Sequence, residues 1–230
     1  LVAGGLLSLA VAAALILAQR DYKRMLAYSS IEHMGIMALG AAVGGPLATA
    51  AVLLHMLGHG LVKAAMFVVA GRILATEGSS RTADVTALLS RRPDLARPLL
   101  AGTAALLGFP PFVLFFTEVA IVIAGWQVGL GWAMGIALVL LLVVFAGLAR
   151  HVSAMTLGGP TISASPGHDG QPDEPTPPVD PAPTAVPEPA ARGRQAPLLL
   201  ALGAATVLGF LAIPLATLLS EAAAVLAGAR

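Results

Sequence analysis

Three ionisable side chains stand at i, i+4 and i+8 in the stretch HMLGHGLVK: His55, His59 and Lys63. On a helix each such step turns about 40° past a full rotation and rises about 6 Å, so the three line one stripe roughly 12 Å long. Apolar residues flank them on both sides. Placing a cation in hydrocarbon costs several kcal/mol unless it faces water or a partner charge. His titrates near neutrality, and the proton affinity of Lys responds strongly to its surroundings. These are the residue types that a proton relay requires. For a lone His, the alternative is a hydrogen bond to a neighbouring carbonyl. Two His at i, i+4 also suit Zn²⁺. No third ligand stands near them in the sequence and Lys63 is a poor one, so no metal is expected.

A second acid, Glu118, lies in GFPPFVLFFTEVAIV, two turns after Pro110 and Pro111. Two prolines inside a crossing remove two backbone donors and free carbonyls one turn earlier. Backbone exposed to lipid cannot tolerate that, whereas backbone lining a cavity can, and broken helices mark ion paths in transporters. The alternative is a simple kink, with Glu118 bonded to a nearby Thr or Ser. A third pair, Glu32 and His33, lies in LAYSSIEHMGIM. Adjacent helical positions point about 100° apart, so the two need not face one cavity. Lys23 and Arg24 read as interfacial anchors, and Glu221 as a headgroup-level residue.

The elements that must position these groups are apolar helices. Of the 230 residues, 57% are hydrophobic and 11% charged, against roughly 25% charged in an ordinary soluble domain. Mean hydropathy is +0.87. A bilayer core about 30 Å thick needs about 20 apolar residues per helix. Six segments meet or approach that: 1–18, 25–43, 47–74, 99–125, 130–149 and 198–227. Strand-type alternation is missing, and Ala, Leu and Gly dominate. The expected fold is therefore an all-α polytopic membrane bundle of about six transmembrane helices, one broken at Pro110–Pro111. Eleven of the seventeen prolines fall between Pro160 and Pro197. The expected organisation is helices over 1–157, a Pro-rich disordered cytoplasmic linker over 158–197, and a last transmembrane helix over 198–230. Arg and Lys cluster in the first, third and fifth connections (Arg20 to Arg24, Arg72 to Arg97, and Arg150 with Arg192 and Arg194) and are missing from the second and fourth. The clustered connections should be cytoplasmic. Net charge is +1 and Cys is absent. That leaves no electrostatic footprint for nucleic acid and no thiolate chemistry. The first residue is Leu1 and no basic segment precedes the first apolar run, so a fragment without a signal peptide is expected.

The stretches DYKRMLAYSSIEHMGIM, HMLGHGLVKAAMFVVAGRI and GFPPFVLFFTE resemble the proton-conducting antiporter-like family. This family includes the antiporter-like subunits of complex I, the large Mrp subunits and those of membrane-bound hydrogenases. YSSIEHMGI, and the closing stretch from Ala196, look most like hydrogenase-4 component F. The resemblance implies a fourteen-helix subunit built of two inverted five-helix repeats, of which this chain would be the second repeat and the last helix. It further implies a proton relay through His55, His59, Lys63 and Glu118, with Glu32 and His33 beside it.

The leading expectation is a proton-translocating subunit of a redox-driven complex in the cell inner (plasma) membrane, multi-pass. It would have no catalytic site, cofactor or metal of its own. Its partners would be other membrane and peripheral subunits, the lipid bilayer, and protons or Na⁺. One alternative is an Mrp-type cation/proton antiporter subunit, in which Na⁺ would need carboxylate and carbonyl oxygens. Another is a non-conducting structural membrane module.

Overall fold

The computed structural model describes residues 1–158 and 198–211. The expected linker over 158–197 lies outside them except for Gly158, as do Glu221, Arg192, Arg194 and the end of the last segment. The described residues form α1 (Val2–Ala18), α2 (Tyr22–Val43), α3 (Gly45–Glu77), α4 (Leu88–Arg91), α5 (Pro93–Leu106), α6 (Val113–Gln127) and α7 (Gly131–Leu157). An eighth helix, α8, spans Leu198–Leu211. Among the described residues there is no strand, only a single antiparallel bridge between Asp21 and Arg81.

The apolar segments of the sequence are these helices, with shifted ends. Two of them, α3 and α7, are long and apolar enough to cross a bilayer whole, and α1, α6 and α8 are shorter apolar helices. At 33 residues and about 1.5 Å per residue, α3 is roughly 50 Å long, which requires tilt or protrusion beyond the hydrocarbon. Arg72 and Arg150, expected in connecting loops, lie inside α3 and α7. The backbone continues its helical ladder through them because a long cation can reach the interface from within a helix.

Large apolar side chains cover the outside of the bundle. On α7, Val139 and Leu142 are 63% and 66% exposed. That outward face is the pattern expected where lipid replaces water.

The centre of the bundle is α2. It touches α1, α3, α6 and α7, so few of its faces are free. Gly5 and Gly35 set the α1–α2 crossing: a Cβ on Gly35 would lie 2.9 Å from the Gly5 carbonyl oxygen. Small residues let helix backbones approach this closely in lipid. Asp21 caps α2 by accepting from the Lys23 and Arg24 amides, both at 2.9 Å. Ser80 Oγ also donates to it. Next to this cap the Tyr22 amide donates to Ser80 O at 3.0 Å and the Thr82 amide to Arg20 O at 2.9 Å. The Tyr22 hydroxyl reaches Ala70 O and Ser79 O. The start of α2 is thereby latched to the end of α3.

Candidate functional site: a buried histidine, lysine and carboxylate line

Tight turn chemistry sets the site's register. Gly44 (φ 68°) and Gly45 (φ 77°) take left-handed conformations between α2 and α3, which L side chains avoid. The two helices therefore fold back antiparallel. His33 precedes Gly44 by eleven residues and His55 follows Gly45 by ten. At equal rise per residue they stand at the same depth, about 15 Å from the turn.

His33 Nδ1 lies 3.1 Å from His55 Nε2. His55 Nδ1 lies 2.8 Å from Thr117 Oγ1, and the Thr117 hydroxyl faces the carbonyls of Leu114 and Val113 at 2.9 and 3.2 Å. A hydroxyl has one hydrogen. With that hydrogen on a carbonyl, Thr117 Oγ1 accepts from His55 Nδ1–H. The neutral His55 then keeps its lone pair on Nε2 and accepts from His33 Nδ1–H. This leaves the His33 Nε2 lone pair 3.4 Å from Glu32 Oε2, without the alignment of a hydrogen bond.

The other members continue the line. The rings of His33 and His59 are 4.4 Å apart between centroids, and the buried His59 Nδ1 has no hydrogen-bond partner. One turn further along α3, Lys63 donates to Leu26 O and to Ser29 Oγ, the latter at 2.6 Å. Both acceptors are on α2. On the other side, Glu118 Oε1 stands 4.0 Å from His33 Nδ1. His33 is fully buried while the Glu118 side chain is 17% exposed. Glu118 and Glu32 both line a cavity of about 360 Å³ whose walls include Leu106, Gly108, Phe115 and Phe145.

The broken helix builds this cavity. The break is wider than the two prolines, since α5 stops at Leu106 and α6 begins at Val113. Turn hydrogen bonds hold the intervening backbone: the Leu107 amide reaches Thr103 O at 2.8 Å and the Phe109 amide reaches Ala104 O at 3.0 Å. Gly108 takes φ 64°, and a Cβ there would lie 2.6 Å from Glu118 Oε2. Gly108 is thus required both by its backbone angle and by the carboxylate it backs. Gly58, between His55 and His59, sits where a Cβ would collide with Val113 Cγ1. Gly209 of α8 lies against the Pro111 carbonyl, so the last described helix seats on the break.

All six residues expected to act, Glu32, His33, His55, His59, Lys63 and Glu118, are gathered in one line. Two readings change. Glu32 and His33 do not form a separate site, because α2 is packed on several sides and both positions face protein. The i, i+4 pair is not what could hold a metal, since His59 is not among the grouped ligands; tertiary packing instead brings His33 and Glu118 to His55, and the three each offer an atom, all within 4.8 Å of one another. Spacing alone did not single out Ser29 and Thr117. Their signals are nonetheless present: Ser29 precedes Glu32 by one helical turn, and Thr117 adjoins Glu118.

Residues 1–145 match the family described as NADH:quinone oxidoreductase/Mrp antiporter, transmembrane. The chain belongs to this antiporter-like family. It is 43% identical over 118 residues to the hydrogenase-4 component F homolog of Methylacidiphilum infernorum, a stretch that is 51% of this chain and 25% of that protein. Its fold is similar to that of a chain in an archaeal membrane-bound sulfane sulfur reductase, with a TM-score of 0.75 and 27% identity over 96% of this chain and 40% of the other. A chain of the Mrp complex from Dietzia sp. shares the fold, with a TM-score of 0.74 and 22% identity over 97% of this chain and 46% of that one. The antiporter-like chain described here thus spans less than half the length of the proteins it matches.

Proposed function

We propose that this chain carries one arm of a proton path in a multi-subunit, redox-driven complex of the hydrogenase-4 or NADH:quinone oxidoreductase type. The complex would sit in the cell inner (plasma) membrane, and this chain's helices would cross it several times. The observation that carries the reading is the gathering of these groups around His33, which meets His59, His55 and, at the cavity, Glu118, with Lys63 one helical turn beyond His59. Each neighbour pair is at hydrogen-bond distance or within reach of a rotamer change or one water. Redox chemistry belongs to partner subunits. Its energy reaches this chain as a displaced charge near Lys63 or Glu32, and a tenfold change in proton affinity takes only about 1.4 kcal/mol. The resulting transfer moves a proton along the imidazoles and releases it at Glu118.

The test is redox-driven proton uptake into inverted vesicles, with assembly of the complex checked in parallel. Lys63→Arg keeps the charge but cannot release a proton at working pH, so uptake should fall strongly. Glu118→Gln keeps shape and hydrogen bonding but cannot ionise, so uptake should stop, while Glu118→Asp keeps part of it. Wild-type uptake by assembled Lys63→Arg and Glu118→Gln variants would leave these residues a purely structural role.

A second reading, Na⁺/proton antiport, is favoured by the two carboxylates on one cavity, since Na⁺ seeks oxygen ligands. Uptake that depends on Na⁺ and is lost in Glu32→Gln would select it.

A further inference from the structure

We infer that His33 Nδ1, His55 Nε2 and Glu118 Oε1 form a binding site for a divalent transition-metal ion, with Zn²⁺ the best fit. The donor set is two imidazoles and one carboxylate, the set that binds Zn²⁺ with a fourth position open to water. Bonds of about 2.0–2.1 Å in a tetrahedron place ligand atoms roughly 3.3 Å apart. The two nitrogens already stand 3.1 Å apart. The carboxylate oxygen, 4.0 Å from His33 Nδ1 and within 4.8 Å of both nitrogens, closes the set by a small side-chain rotation towards them. Two orienting groups are also in place. Thr117 Oγ1 accepts from His55 Nδ1–H and so points the Nε2 lone pair at the site. Glu32 Oε2 stands beside His33 Nε2, where it accepts the hydrogen once the His33 tautomer turns its Nδ1 lone pair to the metal. A carboxylate behind a ligating imidazole is the usual outer support of a zinc ligand. The cavity that Glu118 lines supplies the access path and the room for the fourth, water ligand.

The metal uses the same lone pairs that carry protons in the relay reading, so the two occupancies exclude each other. Inhibition of proton uptake by Zn²⁺ rests on that reading, whereas binding does not.

The test is titration of the full chain, without an added histidine tag, in lipid nanodiscs with Co²⁺ as the spectroscopic probe. One Co²⁺ per chain should bind with the intense visible bands of tetrahedral coordination, and Zn²⁺ should displace it. Thr117→Val should weaken binding about 10–100-fold, as outer-support changes do, and Glu118→Gln should weaken it at least as much. The pair His33→Gln with His55→Gln should abolish the bands, while His151→Gln leaves them intact. Helical circular dichroism of each variant establishes that it is folded. Wild-type chain that binds no Co²⁺, or bands that persist unchanged in a folded Glu118→Gln variant and in the folded double variant, would overturn the site.

Discussion

His33 Nδ1 and His55 Nε2 stand 3.1 Å apart across two helices joined by the two left-handed glycines, Gly44 and Gly45. Neither residue is near the other in sequence, yet their contact joins the α3 stripe to Glu118. A stripe on one helix runs along that helix alone. A histidine from the antiparallel neighbour gives it a lateral branch, and the lateral branch is what reaches the cavity.

Removing either end of this contact should therefore be costly. His55→Gln keeps a polar, hydrogen-bonding side chain that cannot take up a proton at working pH. In the assembled complex, proton uptake should fall about tenfold or more, equivalent to about 1.4 kcal/mol or more of added barrier. Uptake at the wild-type rate, with assembly intact, would remove His55 from the path.

The Lys63 ammonium leans on α2 through Leu26 O and Ser29 Oγ. Ser29→Ala deletes one acceptor. Hydrogen bonds inside membrane proteins contribute about 0.6 kcal/mol on average and up to about 1.7 kcal/mol. We expect a loss in that range, measured by unfolding in mixed micelles, with Ser29→Thr restoring most of it. No change in stability would mean that Leu26 O and water suffice.

Asp21 lies outside the membrane-spanning stretch and can be tested by pH. Burial pushes its carboxyl up, but the bonds from Ser80 Oγ and the amides of Arg24 and Lys23, with the Arg24 charge, outweigh that and hold it below its ordinary value. A lowered folded pKa stabilises above the unfolded value of about 3.9 and is lost as pH falls through the folded one. Asp21→Ala should cost about 0.5–2 kcal/mol at pH 7 through the lost cap. The gap between wild type and variant should narrow as pH drops below about 4. A gap that stays constant down to about pH 2 would show that the carboxylate charge contributes nothing.

Orientation can be read from single cysteines, since the chain has none of its own. Ala83→Cys, in the Arg-rich connection after α3, should react with an impermeant maleimide only once the cytoplasmic side is opened. Val128→Cys, between α6 and α7 and 55% exposed, should react from outside. The reverse pattern would invert the topology drawn from the Arg and Lys distribution.

Much of this site was legible because it obeys local rules. The i, i+4, i+8 spacing fixes one helix face whatever the helix packs against, and two adjacent prolines end a helix in any context. Glu32 and His33 could not be joined to the stripe from spacing alone. Their meeting depends on the depth set by Gly44 and Gly45 and on α2 being enclosed by α1, α3, α6 and α7. The latch of Tyr22 and Asp21 onto Ser79 to Thr82 was illegible for the same reason, since its partners are more than fifty residues apart. Helix ends shifted where hydropathy and hydrogen bonding disagree: Arg72 and Arg150 interrupt the apolar pattern but not the backbone ladder.

Gly58 constrains more than this one chain. It lies between His55 and His59, and the place where its side chain would stand is filled by Val113, the first residue of α6. Positions 58 and 113 therefore share one volume. Over divergence they should covary: a lineage that gains a methyl at 58 must give up bulk at 113. One that changes 58 alone should carry compensating changes at the break, because the start of α6 would have to move and Glu118 would move with it.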